Sequence, residues 1–219
     1  MLALTPLRAA GRGLDVLALG AHADDIEIGC GGTLLWLTHA FGPVSVRWIV
    51  LGAADARAGE ARASAAAYLE AAHQADVAVC GFQDSFFPAE RVGLKEHFEK
   101  LKGDGSPDLV FTHYRDDLHQ DHRLVNELTW NTFRDHAILE YEVPKYDGDL
   151  GQPNVFVPLS KEVCTRKTQL LMEHFPSQRD RHWFSEDLFH ALLRIRGVEC
   201  AAPTGLAEAF YGRKVVVGR

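Results

Sequence analysis

The sequence predicts an α/β fold, a mostly parallel sheet with helices on both faces. Two observations carry this. Strand-like and helix-like segments alternate through the first half with short punctuated links, the pattern of crossover units between parallel strands. Two polar clusters also follow directly on predicted strands, where ligands gather on such sheets. The first strand is residues 15–21 (DVLALGA), followed by a helix over 32–41 and a strand over 44–51 (VSVRWIVL). An alanine-rich stretch, 59–75, has high helix propensity and leads to a short strand over 77–80, a helix over 94–102 and the apolar strand 108–112 (DLVFT). Beyond residue 136 the pattern is less regular. It comprises ILEYEV, a turn-rich PKYDGDLGQPN, the strand-like VFVPL, helices over 161–174 and 185–196, and a last strand over 214–217. No repeat, low-complexity run or flexible linker divides the chain, so residues 1–219 are expected to form one domain.

Composition narrows the function classes. With 219 residues, 47% hydrophobic and 24% charged, the chain has the make-up of a globular protein with a real core. Thirty Asp and Glu against 23 Lys and Arg give a net charge of −7, which repels phosphate backbones and argues against nucleic acid as a partner. No segment approaches the roughly 20 apolar residues of a membrane span. The start, MLALTPLRAAGRGLD, lacks a secretory pattern, so a cytoplasmic protein is expected. The four cysteines, Cys30, Cys80, Cys164 and Cys200, form no C-x-x-C pair and read as small buried hydrophobes. A homo-oligomer stays open.

The chemistry concentrates in two places. After the first strand comes LGAHADDIEIGCGGT, with His22, Asp24 and Asp25; after DLVFT comes HYRDDLHQDHR, with Asp116, Asp117, His119, Asp121 and His122. Adjacent carboxylates at the end of a buried strand repel and resist desolvation unless a cation draws them together. Catalytic zinc takes three His, Asp or Glu ligands and keeps one position for water. His22, Asp25 and one of His119 or His122 supply that set. The metal lowers the pKa of its water from about 15.7 to about 7, so hydrolysis is the natural reaction. A carboxylate beside it serves as general base, and the remaining histidine serves the leaving group or the oxyanion.

AHADD at residues 21–25 together with DLHQDH at 117–122 resembles the paired signature of the PIG-L or LmbE-like zinc-dependent de-N-acetylases, A-H-P-D-D and H-x-D-H. The resemblance implies a Rossmann-like sheet and removal of an N-acetyl or other short acyl group from an amino sugar or glycosylated metabolite, by attack of zinc-bound water on the amide. It makes His22, Asp25 and His122 the metal ligands, Asp24 the general base and His119 the group facing the tetrahedral intermediate. Asp121 then orients a histidine. Ala23 departs from the usual proline. Iron(II) is compatible with the same ligand types.

Blander readings stand beside this one. The first cluster alone fits a capped helix start, with an aspartate satisfying backbone N–H groups and Gly29, Gly31 and Gly32 easing a tight turn. A dinucleotide loop is disfavoured, because the glycines do not follow G-x-G-x-x-G and carboxylates stand where an anion would sit. His113 reads as structural. Arg62, Asp84, Lys145, Arg181 and His182 are candidates for binding substrate, though turn chemistry explains Lys145's surroundings equally well. Two rivals in function remain: hydrolysis of a non-sugar N-acyl metabolite, and a catalytically inert ligand-binding member of the same fold.

Overall fold

A computed structural model describes residues 13–215. One seven-stranded sheet organises them, in the order β3-β2-β1-β4-β5-β7-β6. The strands are β1 (Leu14–His22), β2 (Val44–Gly52), β3 (Gln74–Val79), β4 (Leu109–His113), β5 (Ala137–Tyr141), β6 (Val155–Pro158) and β7 (Ala207–Gly212). The first five run parallel, and β7 is antiparallel to both β5 and β6. The helices are α1 (Asp25–Ala40), α2 (Asp55–Tyr68), α3 (Arg91–Gly103), α4 (Gln120–Thr132), α5 (Lys161–His174) and α6 (Glu186–Glu199). None of the described helices is long and apolar enough to cross a membrane.

β1 shows why the sheet is covered twice. Along its apolar run, Val16 and Ala18 enter one core, with Trp48, Tyr68, Phe111 and Phe210. Leu17, Leu19 and Ala21 enter another, with Ile49, Leu51, Phe98 and Phe133. Alternate side chains of a strand point to opposite faces, so an unbroken apolar strand needs cover on both. Helices α1, α2, α5 and α6 pack in succession on the first face, and α3 and α4 pack together on the second.

Sequence order proceeds outward from β1 through β2 to β3, then returns to place β4 on β1's other side. Such a reversal opens a crevice beyond the carboxyl ends of the two central strands. The loops leaving β1 and β4 carry the two polar clusters into it.

Three differences from the expectation bear on the site and the sheet, each for a physical reason, while other element ends also shift, most at α2, which runs Asp55–Tyr68 where a helix over 59–75 is expected. α1 begins at Asp25 rather than residue 32, so Gly29, Gly31 and Gly32 lie inside a helix and not in a turn. Packing overrides their poor helix propensity. A Cβ on Gly29 would stand 2.0 Å from the Tyr141 ring, one on Gly31 2.6 Å from Tyr68, and one on Gly32 2.7 Å from Leu159. α4, where no helix is expected, begins inside the second cluster at Gln120; its polar first turn, Gln120 to His122, hides it from apolar periodicity. The last strand is β7, Ala207–Gly212, which completes the sheet between β5 and β6. Of the strand expected over 214–217, Lys214 and Val215 are not in a strand, and residues 216 and 217 lie outside the described residues.

α1 is anchored from within. Glu208 on β7 accepts the Gly32 and Thr33 backbone N–H groups at 2.8 and 2.6 Å and pairs with buried Lys167 at 2.6 Å. Lys167 in turn donates to the Ile28 carbonyl at 2.7 Å. Glu27, on the same helix, is fully buried, with neither carboxylate oxygen hydrogen-bonded among the described residues. Burial pushes its pKa up from 4.5 to about 8, against the effect of the neighbouring Ser64 hydroxyl. A carboxyl with a raised folded pKa contributes stability that is full below its unfolded pKa and is lost as the pH rises through the folded one. In metal-free protein, Glu27→Gln is therefore expected to melt above wild type near about pH 8.5, with the gap closing toward about pH 5; thermal melts across that range check it.

Candidate active site

The first cluster sits on the turn from β1 into α1, and neither aspartate caps the helix in the ordinary way. Asp24 occupies the N-cap position at φ 116° without a side-chain cap bond. A buried non-glycine residue in that region stores strain on the order of 1 to 3 kcal/mol, a feature concentrated at functional sites. The unusual backbone falls on Asp24, not on Ala23, which is fully buried. Asp25 turns back, and its Oδ2 accepts the His22 backbone N–H at 2.6 Å. The second cluster is set by the start of α4. His119 is the N-cap, its Nδ1 accepting the Asp121 N–H at 3.3 Å, and His122 sits in the first turn.

Between the clusters, the side chains of His22, Asp25 and His122 form a triangle in which Asp25 turns a different carboxylate oxygen to each histidine. His22 Nδ1 lies 3.2 Å from His122 Nε2 and 3.5 Å from Asp25 Oδ2, and His122 Nε2 lies 3.5 Å from Asp25 Oδ1. A tetrahedral ion with bonds of about 2.0 to 2.1 Å separates its ligand atoms by about 3.3 Å. The spacing suits such an ion. Among the described residues, the sets whose donor atoms all lie within 4.8 Å of one another are His22 with His119 and His122, Asp25 with His113 and His122, and His22 with Asp84, His119 and Asp121, so His22, Asp25 and His122 are drawn from two overlapping sets.

Each histidine of the triangle is aimed by a carboxylate behind it. His22 Nε2 meets Asp121 Oδ2 at 3.0 Å. Asp121, fully buried, is itself fixed by the Ser85 and Phe87 backbone N–H groups at 2.6 and 3.2 Å. His122 Nδ1 meets Asp117 Oδ2 at 2.9 Å. His113, fully buried, places Nε2 3.3 Å from Asp25 Oδ2 and accepts the Ala21 N–H at 2.9 Å.

The charges fit a cation. Burial opposes a charge on His22, yet Asp121, Asp25 and Asp84 outweigh it and hold its pKa well above the ordinary value. Burial also opposes ionisation of Asp25, but His122 and His113 prevail and hold its pKa well below the usual range. Asp24 behaves oppositely: burial pushes its pKa up to about 7, with Arg57 resisting and Asp25 adding to the rise. Arg57 donates to Asp24 Oδ1 at 3.2 Å and to the Ala23 carbonyl. Asp24 Oδ2 is buried and has no hydrogen-bond partner among the described residues.

The other candidates are distributed unevenly. Asp84 stands at the mouth, largely exposed, with Oδ1 3.2 Å from His22 Nε2. The His22 hydrogen bond lowers its pKa to about 2, against burial. Lys145 reaches Asp117 Oδ2 at 3.0 Å. Arg62, exposed on α2, contacts the Val79 carbonyl, while Arg57, five residues earlier, is the residue that enters the cluster. Arg181 and His182 lie exposed before α6, with no hydrogen bond or ion pair to the cluster among the described residues. Arg57, Asp117 and His113 escaped selection from sequence. Asp117 stands inside the second motif and His113 at the end of its strand, which were usable signals; Arg57 gave none.

Fold and site together define an α/β protein with a buried His and Asp cluster able to hold a metal ion. A family model for GlcNAc-PI de-N-acetylase, PIG-L, matches residues 17–133. The chain belongs to that family. No curated protein matches the chain. Among solved structures, the conserved protein TT1542 from Thermus thermophilus is similar, with TM-score 0.70, 19% identity and coverage of 94% of this chain and 97% of that one. The N,N'-diacetylchitobiose deacetylase from Pyrococcus horikoshii has TM-score 0.67, 20% identity and coverage of 91% and 83%. GalB, the 4-carboxy-2-hydroxymuconate hydratase of Pseudomonas putida, has TM-score 0.73, 16% identity and coverage of 94% and 98%. At these identities the likeness shows the fold, which accommodates more than one chemistry.

Asp121 holds both His22 and the Ser85 to Phe87 loop. Asp121→Ala is expected to weaken divalent metal binding about 10- to 100-fold, measured by competition with a chromogenic chelator.

Proposed function

We propose that the chain is a metal-dependent N-deacylase that hydrolyses the amide of an N-acetylated or short-chain N-acylated amino sugar or glycosylated metabolite. The observation that carries this reading is the triangle of His22, Asp25 and His122 with the unpartnered carboxylate oxygen of Asp24 beside it, in a chain of the de-N-acetylase family. Those three residues would hold a zinc or iron(II) ion, which would supply Lewis acidity and a water of lowered pKa. Asp24 takes the proton of the attacking water. Its pKa of about 7 suits a base working near neutrality, and Arg57 engages Oδ1 and leaves Oδ2 free.

His119 has the complementary task. Its Nδ1 accepts the Asp121 N–H, so its proton sits on Nε2 and can be donated to the oxygen that gains charge as the carbonyl becomes tetrahedral. Burial, aided by the positive charge of His22, keeps its pKa below the ordinary value, so it works as a neutral donor. The amine leaves with a proton, and acetate or another short carboxylate remains.

One observation favours the non-sugar reading. Exposed Phe86, Leu118, Tyr146 and Leu150 each adjoin a residue bonded into or beside the cluster: Ser85, His119, Lys145 and Asp149. An apolar body on the substrate would find contacts there. A panel of N-acetyl amino sugars and N-acyl metabolites, read by release of free amine, separates the two, and no amine from any member would favour an inert binding protein.

On a turned-over substrate, Asp24→Asn is expected to retain the metal and lose about 10²- to 10⁴-fold in kcat. His122→Ala is expected to lose the metal itself. Metal content by atomic absorption beside steady-state rates distinguishes them, and a fully active Asp24→Asn would remove the base assignment.

A further inference from the structure

We propose that Lys145 is a positioning residue of the metal site, acting through Asp117 on His122 and not on the substrate. The inference rests on the metal site proposed above and adds to it a component from the β5 to β6 loop, far along the chain from both motifs.

Asp117 is 2% exposed and fully engaged. Its Oδ1 accepts the His119 backbone N–H at 2.8 Å, and its Oδ2 receives both His122 Nδ1 at 2.9 Å and Lys145 Nζ at 3.0 Å. The Lys145 ammonium has a second carboxylate, Asp149 Oδ2, at 2.6 Å. That same oxygen accepts the Leu118 N–H at 2.7 Å. Lys145 and Asp149 thus clasp the loop carrying Asp117 from two sides. Arg123 adds a bond to each of the Asp117 and Leu118 carbonyls.

Two buried carboxylates that share one ammonium repel once it is removed. Asp117 would then lose its fixed orientation, and with it the acceptor that keeps the His122 proton on Nδ1 and leaves Nε2 bare for a metal. Burial disfavours the Lys145 charge, yet Asp117 and Asp149 hold its pKa above the ordinary lysine value, so it stays cationic in that role. With Asp117, Asp149 and the Val143 carbonyl at 3.4 Å facing its three N–H donors, its ammonium has little left to offer a ligand.

The test uses the full-length protein, stripped of metal and titrated with zinc against a competing chelator. Lys145→Met is expected to bind zinc about 10- to 100-fold more weakly than wild type, and Lys145→Arg to recover most of the loss. A second readout needs no metal. In the 15N-labelled apo protein, the downfield Nδ1–H signal of His122, assigned by its absence from His122→Gln, is expected to broaden or vanish in Lys145→Met. Zinc affinity within about threefold of wild type together with an intact Nδ1–H signal would overturn the proposal. If Lys145→Met does not fold, Lys145→Gln replaces it, with the same two outcomes deciding. Should wild type bind no zinc, the proposed function fails, while the apo signal still judges the clasp.

Discussion

The structure depends on a concentration of negative charge at the point where β1 leaves the core. Asp25, Asp84, Asp117 and Asp121 stand on or directly behind His22 and His122, Asp24 adjoins them paired with Arg57, and all but Asp84 are buried. Arg57 and Lys145 offset part of that charge. In the metal-free chain Asp121, Asp25 and Asp84 hold the His22 pKa well above the ordinary value, against burial. A divalent ion would meet the same charge more completely, because oxygen and nitrogen donors already face one point. The two adjacent aspartates then divide by environment: Asp25 stays ionised among histidines, and Asp24, buried beside an arginine, keeps the basicity of a group near neutrality.

The fold exists around that point. The strand order reverses between β1 and β4, so two loops distant in sequence emerge side by side. α1 must approach closely for its first turn to present Asp25. It does so because glycines at 29, 31 and 32 admit the Tyr141, Tyr68 and Leu159 side chains. Tyr141 returns the contact to the site, donating its hydroxyl hydrogen to the Leu19 carbonyl at 2.6 Å, while its hydroxyl oxygen lies 3.2 Å from His113 Nε2. Core packing and site geometry share these residues.

Much of this was legible in the sequence. The alternation of elements, the parallel sheet and the meeting of AHADD with DLHQDH follow from periodicity and from the position of polar clusters after strands. What escaped was tertiary. The glycines read as a turn, because nothing local shows that a tyrosine ring waits for the space of a missing Cβ. α4 hid behind its polar first turn. Arg57 lies just before the helix expected over 59–75 and carries no motif, since its bond to Asp24 depends on how α2 packs beside β1's turn. Lys145 was visible as a charged loop residue, but its two carboxylate partners are 28 residues upstream and four downstream, a relation only the folded chain displays.

Anomalous diffraction from zinc-soaked crystals would locate the cation. One strong peak bonded to His22 Nδ1, Asp25 and His122 Nε2 is expected, with Asp24 and His119 near it and unbonded. A peak on the other side of the His22 ring, held by Nε2 with Asp84 and Asp121, would contradict this placement.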